Sequence, residues 1–274
     1  GSMLLYSLLY LTGYEDFPIE EIKNFRQLGA KTAGHPENFL SQAIETTTGP
    51  LGQGIANSVG FAMAEEIQRA KFGKNVIDHY TYVFAGDGCL MEGVSQEAIT
   101  LAGRQELSKL IVFWDNNNIT IDGKVDLADA TNQVDRVKSS GWHVLEIDGH
   151  DPIQIDHAII EAKKSNKPTM IACKTHIALG SSAQDTSKGH GALTDKSLIE
   201  ETKKVYRWSQ EAFFIPSEVK AAWETTGQKG HEEKLSWENR FSSLSQKKQS
   251  EFLRMYSMEV PAALNRVINK FKKT

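Results

Sequence analysis

At 274 residues and 40% hydrophobic content, the chain can bury a sizeable core, as one large domain or one domain with an appendage. Its 31 basic and 35 acidic side chains leave a net charge of −4, without the clustered basic excess of a nucleic-acid-binding or membrane-surface protein. Two cysteines, Cys89 and Cys173, stand outside any C-x-x-C pair. They argue against a zinc site or a disulfide framework, and they fit a reducing cytosol, so a cytoplasmic protein is expected.

The apolar stretch at residues 3–11, MLLYSLLYL, is too short to span a bilayer and lacks a basic leader. It reads as the first turns of a buried helix. After the glycine-rich GPLGQG, Ile55, Val59, Met63 and Ile67 recur at helical spacing. Four short runs rich in β-branched and aromatic residues then read as buried strands: 79–86, 109–115, 142–147 and 168–174. Helical patterns at 92–105, 130–140 and 152–164 fill the gaps. This alternation predicts an α/β fold with a mainly parallel sheet and helices on both faces. From about Ser209 the chain turns more polar and helix-like, with Trp223, Trp237, Phe241, Phe252 and Leu253 as scattered apolar anchors. Residues 1–208 are therefore expected to form the α/β unit, and 209–274 a helical appendage packed on it.

Parallel sheets bind ligands at the carboxyl ends of their strands. One predicted strand ends in Gly86-Asp87-Gly88, and the next in Asp115-Asn116-Asn117-Asn118. Both clusters belong at the same sheet edge, on adjacent strands. Glycines beside an acid let the backbone turn sharply and approach a ligand closely. Asp87 and Asn117 offer hard oxygen ligands of the kind magnesium takes together with phosphate and water. A tight turn with a solvated aspartate, and turn chemistry for the asparagine run, are the competing readings. No G-x-G-x-x-G follows a first strand, which disfavours a dinucleotide-binding dehydrogenase.

The segment GDGCLMEGVSQEAITLAGRQELSKLIVFWDNNNITIDG resembles the thiamine-diphosphate motif, and its details resemble the transketolase family. GHPE (34–37), ETTTGPLGQGIANSVGFAMAE (45–65), GDGCLMEGVSQEA and GHGA (189–192) all look like transketolase segments, in the expected order. The resemblance implies thiamine diphosphate and magnesium as cofactors, with calcium or another divalent cation able to substitute. It implies Asp87, Asn117 and the Ile119 carbonyl as metal ligands. It also implies Gly86 and Gly88 against the diphosphate, Gly49, Pro50 and Leu51 against the aminopyrimidine, and Ile121 packed on the thiazolium. His35 and His190 match histidines facing cofactor and substrate, and Glu92 matches an acid at the subunit interface. His176, near the same sheet edge, is a weaker candidate.

The same resemblance implies a reaction and partners. A complete enzyme of this kind moves a two-carbon ketol unit from a ketose phosphate to an aldose phosphate, in the pentose phosphate pathway. Its site forms between this domain and the pyrimidine-binding domain of a second subunit in a homodimer. The sequence shows no second thiamine-type half, so it reads as a fragment, or as one subunit of a split enzyme. A dihydroxyacetone synthase, a deoxyxylulose-phosphate synthase and a non-catalytic interaction module are the other readings.

Overall fold

A computed structural model describes every residue except Ala192, Met258, Glu259, Pro261, Thr274 and the side chain of Ala262. Ala192, the last residue of GHGA, and Thr274, the last of the expected appendage, therefore lie outside the described residues. The described chain runs α1 (Ser2–Leu11), α2 (Ile19–Lys23), α3 (Gln53–Phe72), β1 (Thr81–Gly86), α4 (Asp87–Met91), α5 (Gly93–Arg104), β2 (Leu110–Asn116), α6 (Gln133–Ser139), β3 (His143–Asp148), α7 (Pro152–Ala162) and β4 (Thr169–Lys174). The helices α8 (Lys196–Val205), α9 (Ser217–Ser242), α10 (Gln246–Tyr256) and α11 (Ala262–Phe271) follow.

The four strands form one sheet in the order β1-β2-β4-β3, and every pairing is parallel. Each expected strand is present, and each is a residue or two shorter at its start. The period of two along a strand sends alternate side chains to opposite faces. Ala85, Val112, Trp114, Met170 and Ala172 face α3 and α5, with Ile55, Val59, Ile99 and Ala102 packed on them. Ile111, Phe113, Ile171 and Cys173 face α7 through Ala158 and Ala162. Helices thus pack on both faces, as the alternation implied, while β1 keeps Tyr82 and Phe84 exposed.

Local chemistry explains the helix starts. Asp151 accepts from the backbone N–H of Ile153 at 2.9 Å, and Pro152 opens α7 where no N–H is needed. Asn132 caps α6 by accepting from Asp135 N–H at 3.1 Å. The helix expected over 130–140 therefore begins only at Gln133. The helix expected over 92–105 is α5, which begins one residue later because the extended backbone of Glu92 separates it from α4.

Two expectations are corrected. In α1 only Tyr6 and Leu9 are buried and Leu4 is exposed, so one face of this helix packs rather than all of it. Of the five C-terminal anchors, Trp237, Phe241 and Phe252 pack with Phe72, Val76 and Ile77, where the Trp237 indole donates to the Val76 carbonyl at 2.8 Å. Trp223 and Leu253 are exposed. An isolated hydrophobic residue in a polar helix carries no periodic signal that says which face will meet a neighbour.

Candidate functional site

The register of β1 and β2 pairs Gly86 with Asp115, so both polar clusters emerge at the same carboxyl edge on neighbouring strands. Asp87 is buried, with only 7% of its surface exposed. Its Oδ1 accepts from the Trp114 indole N–H at 2.9 Å, and its Oδ2 from the Asn118 backbone N–H at 3.0 Å. Burial pushes the Asp87 carboxyl above its ordinary value, and these two donors pull it partly back. Trp114 escaped the sequence reading. The parity of β2 signals it, because Trp114 shares the face of Val112, one position before Asp115.

The asparagine run combines turn and ligand geometry. Asn118 adopts φ 61°, the left-handed region that asparagine tolerates. Asn117 Oδ1 accepts from Ile119 N–H at 3.0 Å, and its Nδ2 donates to Asp115 Oδ2 at 3.2 Å. The turn reading and the ligand reading coexist here, since an amide oxygen keeps a second lone pair. Ile119 is buried, and Ile121 is 70% exposed.

The turn at residues 49–52 gathers three separate parts of the expected site. A Cβ on Gly49 would lie 3.1 Å from the His35 ring, and one on Gly88 would lie 3.0 Å from Leu51 Cδ1. Gly52, at φ 82°, would place a Cβ 2.7 Å from Glu92 Cβ and 2.9 Å from Ser95 Oγ. The turn therefore touches His35, the glycine after Asp87, and Glu92. Pro50, Leu51, His35 and Glu92 keep exposed side chains around it. His190 is carried by a different segment, the loop after β4, where its backbone N–H bonds the Ser187 carbonyl at 3.1 Å and its side chain is exposed.

A cavity of about 300 Å³ opens beside Asp87, lined also by Met91, Trp114, Asn118, Asp126, Asp129 and Gln133. Gln133 is buried, and its Oε1 has no hydrogen-bond partner among the described residues. A larger cavity of about 590 Å³ lies against α8, lined by Leu193, Ile199, Tyr206 and Trp208. Its lining is mostly apolar, and it holds none of the expected site residues. The smaller one includes Asp87 in its lining.

The donor set fits a magnesium diphosphate. Asp87, Asn117 and the Ile119 carbonyl are hard oxygen donors of the kind magnesium takes, and Gly86 has open space where a Cβ would stand, which would let backbone approach phosphate oxygens.

Residues 1–261 match the family model described as transketolase, thiamine diphosphate binding domain. The chain is 52% identical over 274 residues to a transketolase of Rhodobacter capsulatus, covering 100% of this chain and 41% of that protein. It is 44% identical over 280 residues to transketolase 1 of Escherichia coli, covering 99% of this chain and 42% of that protein. A transketolase structure from Campylobacter jejuni aligns with a TM-score of 0.88 at 41% identity, over 93% of this chain and 40% of that one. A transketolase from Leishmania mexicana aligns at 0.89 and 40% identity, over 94% of this chain and 40% of that one. The chain thus spans well under half the length of these relatives.

Proposed function

Because the chain belongs to the transketolase family, over that family's thiamine diphosphate binding domain, we propose that it forms the diphosphate half of a transketolase active site. The observation that supports the reading is buried Asp87, whose two oxygens accept from the Trp114 indole and the Asn118 backbone N–H at the strand edge that also carries Asn117 and Ile119. Asp87, Asn117 and the Ile119 carbonyl would hold magnesium through oxygen, and the ion would offset the diphosphate charge. Gly86 and Gly88 bring main chain to the phosphates. Gly49, Pro50 and Leu51 border the aminopyrimidine, and exposed Ile121 offers an apolar surface to the thiazolium. Bound there, the cofactor supplies the electron sink for cleavage next to a ketose carbonyl.

The chain's own residues do the rest. His35, steadied against Gly49, and His190 hold or pass protons at substrate oxygens, a role suited to imidazole near neutrality. Glu92, packed on Gly52, meets a second subunit. Residues 1–208 constitute the diphosphate-binding unit, and 209–274 lead toward a pyrimidine-binding domain. The whole protein would transfer a two-carbon ketol unit from a ketose phosphate to an aldose phosphate, as a homodimer in the cytoplasmic pentose phosphate pathway. No helix among the described residues is long and apolar enough to cross a membrane.

Calorimetric titration of thiamine diphosphate, with and without magnesium, tests the site. Magnesium-dependent binding that disappears in Asp87→Ala is the expected result. Equal binding by both proteins would overturn the ligand assignment.

A further inference from the structure

We propose that His150 is a positioning residue for the loop after β4, the loop that carries His176 and His190; its relevance to catalysis rests on the function proposed above. In the sheet order, β4 lies between β2 and β3. The chain leaving β4 is tied to both neighbours. Toward β2, Thr175 N–H donates to the Asn116 carbonyl at 3.3 Å, and the Thr175 hydroxyl donates to Asp115 Oδ1. Toward β3, His176 N–H donates to Nε2 of His150 at 3.0 Å. The two imidazole rings lie nearly parallel, with centroids 5.7 Å apart.

A backbone N–H can only donate. His150 Nε2 must therefore present its lone pair, and the proton of the neutral ring sits on Nδ1. The His150 main chain is held as well, since its backbone N–H donates to Asp148 Oδ1 at 2.9 Å. The next residue in the relay is His176, whose Nδ1 lies 2.9 Å from Asp185 Oδ2.

Beyond His176 the loop folds on itself. Asp185 N–H returns to the Ile177 carbonyl at 3.2 Å, Ser181 and Ala183 are buried, and a Cβ on Gly189 would lie 2.8 Å from that of Ala178. The loop is also tied to the end of α8, where the Tyr206 hydroxyl donates to the Leu179 carbonyl at 2.8 Å, so the attachment at its first residues sets its orientation on the sheet side. His150 supplies one of the two sides of the attachment, and so helps to aim the segment that ends at His190.

Hydrogen exchange of residues 176–190, followed by mass spectrometry on the 274-residue chain, tests this. Three variants separate the hydrogen bond from the ring contact. His150→Phe keeps a ring against His176 but removes the acceptor. His150→Leu removes both. His150→Gln keeps an acceptor at a similar reach and discards the ring. The Phe and Leu variants are expected to exchange this loop about three- to tenfold faster than wild type, the scale of one modest hydrogen bond. His150→Gln is expected to restore wild-type exchange, with β2 protected equally in all four proteins. Wild-type exchange in His150→Phe, or fast exchange in a folded His150→Gln, would overturn the proposal. The cofactor titration above can fail without altering this result, and the reverse holds too.

Discussion

The indole N–H of Trp114 donates to Asp87 Oδ1 at 2.9 Å, so the last aromatic residue of β2 orients the carboxylate at the end of β1. Adjacent parallel strands make this contact possible, because their carboxyl ends finish side by side. Replacing Trp114 with Phe keeps the apolar packing but leaves a buried carboxylate oxygen without its donor. Such a loss costs about 1–3 kcal/mol. Urea unfolding should show a drop of that size, and magnesium-dependent cofactor binding should weaken with it. An unchanged midpoint would mean that the bond contributes nothing.

Gly52 is the most constrained point of the turn that gathers the site. It sits at φ 82°, where L side chains are strained, and its missing Cβ makes room for Glu92 and Ser95. Gly52→Ala should therefore cost about 1–3 kcal/mol in stability. Unlike Trp114→Phe, it should also move Leu51 off Gly88. A thermal scan and a cofactor titration of the same variant read the two effects separately.

At the opposite sheet edge, Glu65 is 1% exposed and pairs with Lys109 Nζ at 2.6 Å. Lys109 also bonds Asp78. Removing the ammonium strands a buried charge, with Arg69 Nε 3.4 Å away as a poorer partner. Lys109→Met should destabilise by about 3 kcal/mol, and the double variant Glu65→Leu with Lys109→Met should regain most of that loss. A double variant as unstable as the single one would show that packing, not charge, is at stake.

Burial pushes the Cys173 thiol up to about 11, and the nearby Asp115 charge adds to the rise. The protonated form is favoured in the fold, so at pH 8 the thiolate is only about one part in a thousand. Iodoacetamide at that pH should leave Cys173 unmodified in the folded protein and label it promptly in denaturant. Peptide mass spectrometry distinguishes it from half-buried Cys89.

Much of this fold was legible in the order of the residues. Strand runs such as residues 110–114 are continuously apolar because a central parallel strand is covered on both faces, a pattern readable from the residues alone. Gly86-Asp87-Gly88 and the asparagine run are local turn chemistry, and strand–helix–strand alternation alone sends both to one edge. The family resemblance rested on these same short segments.

What the sequence could not decide were contacts between segments far apart in the chain. Nothing near Asp87 in sequence points to Trp114, 27 positions on, or shows that Gly49, Leu51 and Gly52 each meet a different element of the site. Equally, nothing distinguishes Phe252, which packs, from Leu253, which does not. Periodicity and turn preference are properties of a few neighbouring residues. Which carboxylate is buried, which donor reaches it and which glycine makes room for a neighbour depend on how the elements pack, and packing settled them only in three dimensions.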